Sequence, residues 1–116
     1  MKLNNKHFKL FKDECEKWLK RLELNDYSIF YEFKYLEGRD ACNTVTGSIG
    51  NATIALSTEI ETFDKKSNDY IKILAKHEVL HVLLGRFGSL AHNRYSREDE
   101  LIDEEEHLVR KLVNII

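Results

Sequence analysis

Proline is absent from the 116-residue chain. No repeat, linker or low-complexity segment divides it, so residues 1–116 read as a single domain with room for one core. Cysteine is nearly absent. Cys15 and Cys42 stand far apart and form no CxxC pair. That spacing argues against a cysteine metal site or a disulfide, and each reads as a small core residue. Long apolar runs are missing too. The first 22 residues, MKLNNKHFKLFKDECEKWLKRL, are charged throughout and hold neither a signal peptide nor a membrane span. The expectation is a cytoplasmic protein with no membrane partner. Finally, there is little excess charge of one sign. Charged residues make up 33% of the chain, yet the net charge is -2, so the basic footprint of a nucleic-acid binder is lacking. A hydrophobic content of 42% suffices for a modest core and excludes a disordered chain.

What is present alternates between two periodicities. Phe8, Phe11, Cys15, Trp18, Leu19 and Leu22 recur at helical spacing and predict a helix from about Asn4 to Leu22. Tyr27 to Leu36, Ala41 to Thr46 and Ala52 to Ser57 are rich in β-branched and aromatic or small apolar residues and read as three strands. Turns at Glu37–Asp40 and Gly47–Asn51 separate them. After a polar stretch, a helix is predicted from about Asn68 to Arg86. Ser67 or Asn68 can cap it, Asp69 sits in its first turn, and Gly85 and Gly88 end it. Ser89 to Arg97 reads as a loop, and a last helix runs from about Glu98 to Asn114. The order predicts an α+β fold, with helices packed on a small, mostly antiparallel three-stranded sheet.

The segment HEVLH, His77 to His81, carries chemistry. Residues four apart on a helix lie about 40° apart around its axis, so His77 and His81 project side by side. That is the spacing at which one Zn²⁺ takes two imidazoles from one helix. Glu78 lies about 100° round from His77, on the flank of that face. It is placed to serve as general base and acid toward a zinc-activated water, which a purely structural site would not need. The surrounding helix is apolar on several sides. Two histidines and a glutamate are costly there without partners.

A catalytic zinc needs a third protein ligand. The pattern HExxHxxGxxH is excluded, because Leu84 and Phe87 occupy its last two positions. Glutamates on the last helix are the alternative. Leu101, Ile102, Leu108, Val109, Leu112 and Val113 define its buried stripe. Glu105 falls near the middle of that stripe, and Glu104 falls at its edge. Glu100, Asp103, Glu106 and His107 point outward and read as a solvated face. Glu105 is therefore the expected third ligand, with Glu104 and loop residue His92 as alternates. His7, on the polar side of the first helix, receives no role.

HEVLH followed by a helix with an inward glutamate resembles the gluzincin branch of zincin metallopeptidases. The likeness is greatest to the very small single-domain forms, phage-encoded ones among them. It extends from Trp18 to Leu112 through HEVLHVLL, EEEHLVRKL, LNDYSIFYEF and NATIALS. In EEEHLVRKL, the first glutamate of the Glu105–Glu106 pair matches the ligand position. The NExxxD form of the larger gluzincins is missing. A histidine-ligated family resembling SprT competes through His92. The gluzincin resemblance implies a zincin-like fold, one Zn²⁺ per chain and hydrolysis of a peptide or protein substrate. It also implies that Ala52–Ser57 forms the rim of the cleft and pairs with an extended peptide through Ala52, Ile54 and Leu56. The same run reads equally well as an ordinary interior strand. Arg94 and Tyr95 are candidates for approaching an oxyanion. A zincin-shaped module that keeps zinc but binds a partner without cleaving it is the alternative function.

Overall fold

The computed structural model describes residues 1–46, 49–61 and 67–94, with side chains over 68–85 of the last span. It also describes residues 102, 103, 105, 106, 109, 110, 112 and 113. Helix α1 spans Asn5–Arg21. Asn4 caps it: its Oδ1 accepts from the backbone N–H groups of Lys6 (2.9 Å) and His7 (3.2 Å). His7 returns the contact, its Nδ1 accepting from Asn4 N–H at 3.0 Å. The reciprocal pair satisfies donors that a helix start leaves open, so His7 is a capping residue. Lys20 and Arg21 lie at the negative end of the helix dipole. Phe11, Cys15, Trp18 and Leu19, at intervals of four, three and one, form its buried stripe.

Strands β1 (Ser28–Phe33), β2 (Ala41–Thr46) and β3 (Asn51–Leu56) form one sheet. Its order is β1-β3-β2, with β1 parallel to β3 and β2 antiparallel to it. The sheet is thus mixed, where the sequence predicts mostly antiparallel pairing. The connection from residue 34 to residue 40 is long enough to step over one strand, about 10 Å across two strand spacings. The hairpin after β2 then lays β3 between its neighbours. Strand β3 suits that place. Ala52, Ile54, Ala55 and Leu56 are all buried, the mark of a strand covered on both faces and both edges.

Register places Tyr31, Ile54 and Asn43 in one row, with Phe33, Leu56 and Ala41 beside it on the same face. Both helices pack on this face. Phe8 of α1 stacks on Phe33 at 4.9 Å between ring centroids, and Tyr31 Oη donates to Glu16 at 2.6 Å. Helix α2 lies under β2. The core between the layers includes Phe11, Cys15, Ile54, Leu56, Ile60, Ile71, Ala75, Val79 and Val82. Each large aliphatic or aromatic side chain fully buried here contributes about 1.5–3 kcal/mol. Cys15 is a core residue as expected, and Cys42 is half-buried; both are free thiols.

Helix α2 spans Ser67–Arg94, eight residues beyond the predicted end. It runs straight through Gly85 and Gly88, so neither is a terminator and 89–94 is not a loop. Packing explains Gly85. A Cβ there would fall 2.4 Å from Val45 Cγ1 on β2. The glycine lets strand and helix touch, and that contact offsets the roughly 1 kcal/mol helix cost of glycine. At 28 residues α2 is about 42 Å long, close to the longest dimension of the molecule, 43 Å. Every described residue from 102 to 113 is helical, in line with the predicted last helix. Val109 is fully buried, but Ile102, expected in the same stripe, is 47% exposed. Among the described residues no helix is long and apolar enough to cross a membrane.

Candidate metal centre

His77 and His81 sit one turn apart in the middle of α2, their ring centroids 4.9 Å apart and their planes at 67°. Their Nε2 atoms approach to 3.2 Å. A carboxylate from the last helix closes the group, and it belongs to Glu106. Its Oε1 lies 3.4 Å from His77 Nε2 and its Oε2 lies 3.2 Å from His81 Nε2. One ligand atom from each of the three residues falls within 4.8 Å of the others. Lone pairs converging this closely attract only with a proton or a cation between them.

Glu105 occupies a different place from the one its phase suggests. It faces the far side of the His81 ring, 3.3 Å from Nδ1. A carboxylate can only accept, so the ring nitrogen donates. That fixes the proton of a neutral His81 on Nδ1 and leaves the Nε2 lone pair aimed at His77 and Glu106. The reason for the exchange is rotational. Buried Val109 marks the inner line of the last helix, and Glu105 and Glu106 lie about 40° and 60° to either side of it. Averaging phase over the whole apolar stripe, Ile102 included, puts the centre on Glu105 and pushes Glu106 outward. The structure instead rolls the helix so that both face α2.

Glu78 is buried, 5% exposed, beneath the same group. Burial pushes its carboxyl above the ordinary range; a hydrogen bond from Asn43 and the nearby histidines pull the other way. Asn43 Nδ2 donates to Glu78 Oε2 at 2.6 Å. A carboxylate this deep is costly without such a partner. Asn43 is the residue that sequence reasoning misses. Only the register of β2 shows that its side chain faces α2, and no local pattern marks it.

The remaining candidates are dispersed. His92 and Arg94 lie on the last turns of α2, and their side chains fall outside the described residues, as do Tyr95 and Glu104. Ala52, Ile54 and Leu56 lie on β3, the central strand. Its backbone groups are shared between β1 and β2, so it has no free edge to offer a peptide. The expectation of an edge strand there is corrected. The edge beside Glu78 is β2.

Donor type and spacing suit a small divalent cation. Two imidazoles and a carboxylate form a common catalytic zinc set. Ligands about 2.0–2.1 Å from a tetrahedral ion lie about 3.3 Å from one another; the two Nε2 atoms stand 3.2 Å apart, and each has a different oxygen of the Glu106 carboxylate within 3.4 Å. No family profile matches the chain, and no curated protein matches it. Among solved structures it is similar to the crystal structure of the metallopeptidase zymogen of Methanocaldococcus jannaschii jannalysin. Identity is 25%, over 88% of this chain and 96% of that one, with a TM-score of 0.42. At that score the two backbones follow each other only loosely.

Proposed function

We propose that the protein is a zinc-dependent peptidase. The observation that carries this reading is the convergence of His77, His81 and Glu106 beside a buried glutamate one residue from a ligand. These three side chains would hold the ion, with Glu105 orienting His81 from behind. When bound, zinc supplies a Lewis acid that lowers the pKa of water toward about 7 and polarises a carbonyl. Glu78 receives the proton of the attacking water at its carboxylate and delivers it to the departing amine. Its burial favours the protonated form it needs in the second half of that cycle. A site that only binds has no use for a carboxylate held this way, which weighs against the non-cleaving module.

Strand β2 is the surface we assign to the substrate backbone. Asp40 O accepts from Ser57 N–H at 2.8 Å, one step before the strand begins. Antiparallel ladders alternate, so Cys42, Thr44 and Thr46 bond to β3. The N–H and C=O groups of Ala41, Asn43 and Val45 then point to the outer edge, which no strand among the described residues covers and along which an extended peptide can pair.

The deciding experiment measures zinc per chain in protein purified without chelator or metal-affinity tag. About one zinc is expected in wild type and in Glu78→Gln, and much less in Glu106→Ala. Glu78→Gln should also lose hydrolysis of a quenched random-peptide mixture. A wild-type protein that takes up no zinc when it is supplied would overturn the reading.

A further inference from the structure

The groups around Glu78 come from several elements: the imidazoles on its own helix, Glu106 on the last helix, Cys15 on α1 and, as its hydrogen-bond donor, Asn43 on β2. Asn43 stands third in a six-residue strand, paired with Ile54. Its two halves face different ways. The side-chain amide reaches down to Glu78 Oε2 at 2.6 Å. The backbone N–H and C=O, by the alternation set at Asp40, face the outer edge of the strand, which no strand among the described residues covers. The arrangement is held from below: Gly85 brings α2 close enough for Val45, two residues on, to rest against it.

We propose that Asn43 is a positioning residue that fixes the rotation of the Glu78 carboxylate and links it to the strand edge on which the substrate pairs; this rests on the peptidase reading above. A glutamate has three rotatable side-chain bonds, and burial alone does not choose among its rotamers. With Oε2 committed to the amide, proton exchange falls to Oε1, and its direction is set by the sheet and not by the helix alone. The strand that receives the peptide backbone thereby also aims the base. Any shift of β2 on substrate pairing is transmitted to Glu78 through one hydrogen bond. Misplacing a reacting group by about 1 Å can cost about a hundredfold in rate.

The test separates side chain from backbone. Asn43→Ala removes the amide donor and leaves the strand's N–H and C=O in place. On the quenched random-peptide mixture, kcat should fall about ten- to a hundredfold with KM nearly unchanged. Zinc content should stay close to wild type, the unfolding midpoint should fall because the buried Glu78 carboxyl loses its donor, and Asn43→Gln, which retains an amide donor, should recover part of kcat. A readout independent of activity comes from the side-chain amide of Asn43 in ¹H–¹⁵N spectra of metal-free protein. One of its protons should be shifted downfield and slow to exchange, and Glu78→Ala should abolish both effects. If kcat is unchanged in Asn43→Ala, or the amide signals ignore Glu78→Ala, the positioning role is overturned while the peptidase reading stands. If KM rises and kcat holds, Asn43 acts on substrate binding and the proposal is overturned. If wild type binds no zinc or cleaves nothing, the peptidase reading falls and takes this role with it.

Discussion

At the scale of the residue, the site turns on two adjacent glutamates with different work. Glu106 reaches both Nε2 atoms, whereas Glu105 holds Nδ1 of His81. A group that accepts from the far nitrogen of a ligating imidazole sets its tautomer and raises its basicity; removing such a partner typically costs 10–100-fold in metal affinity. Glu105→Gln should therefore weaken zinc binding by about that factor, measured by competition with a chromophoric chelator. Glu106→Gln should weaken it further, since it removes the ligand charge itself. The reverse ranking would exchange the two roles. The side-by-side placement of His77 and His81 was legible in the sequence because both histidines ride one helix, and helical spacing is invariant. The choice between Glu105 and Glu106 was not, because it depends on how one helix rolls against another, and a one-residue step rotates a side chain by about 100°.

At the scale of the element, legibility followed locality. The bounds of α1 and β2 are written in apolar spacing and residue type over short windows, and the structure meets them within a residue. Sheet order is a long-range property. Three successive strands with short links suggest a meander, and the clue against it was NATIALS itself, apolar at too many successive positions for an edge. Gly85 was misread for a related reason. Glycine in a helix signals either an end or a close approach, and only the neighbour decides. The neighbour is Val45, so the fit can be tested directly. Gly85→Ala gains about 1 kcal/mol of helix propensity but forces a methyl into Val45, an overpacking that costs about 1–3 kcal/mol. The net change in urea denaturation should be destabilising. In a Val45→Ala background the clash is gone, and the same substitution should become neutral or stabilising. Equal effects in both backgrounds would show that β2 and α2 do not meet there.

At the scale of the whole molecule, Asp40 ties together parts that the site needs in register. Its backbone carbonyl accepts from Ser57 N–H, its Oδ1 accepts from Glu61 N–H at 3.2 Å, and its Oδ2 accepts from the hydroxyl of Tyr70. One residue thus joins the entry to β2, the segment after β3 and the first turns of α2, which carry the strand edge and the histidine helix. Burial, then the hydrogen bond and charge of Asp40, push the Tyr70 hydroxyl from 10.0 up to about 12. The sign of the linkage follows. Below pH 10 the hydroxyl is protonated in both folded and unfolded chains, and the tie is intact. Between pH 10 and about 12 the unfolded chain loses the proton while the folded chain keeps it, so stability falls as pH rises through that window. Tyr70→Phe lacks both the tie and the titration. It should be less stable than wild type at pH 8, and the gap between them should narrow as pH climbs from 10 to 12 in urea denaturation. A gap that stays constant across the window would mean that Tyr70 ionises as freely in the fold as outside it, and that Asp40 does not hold α2 through this hydroxyl.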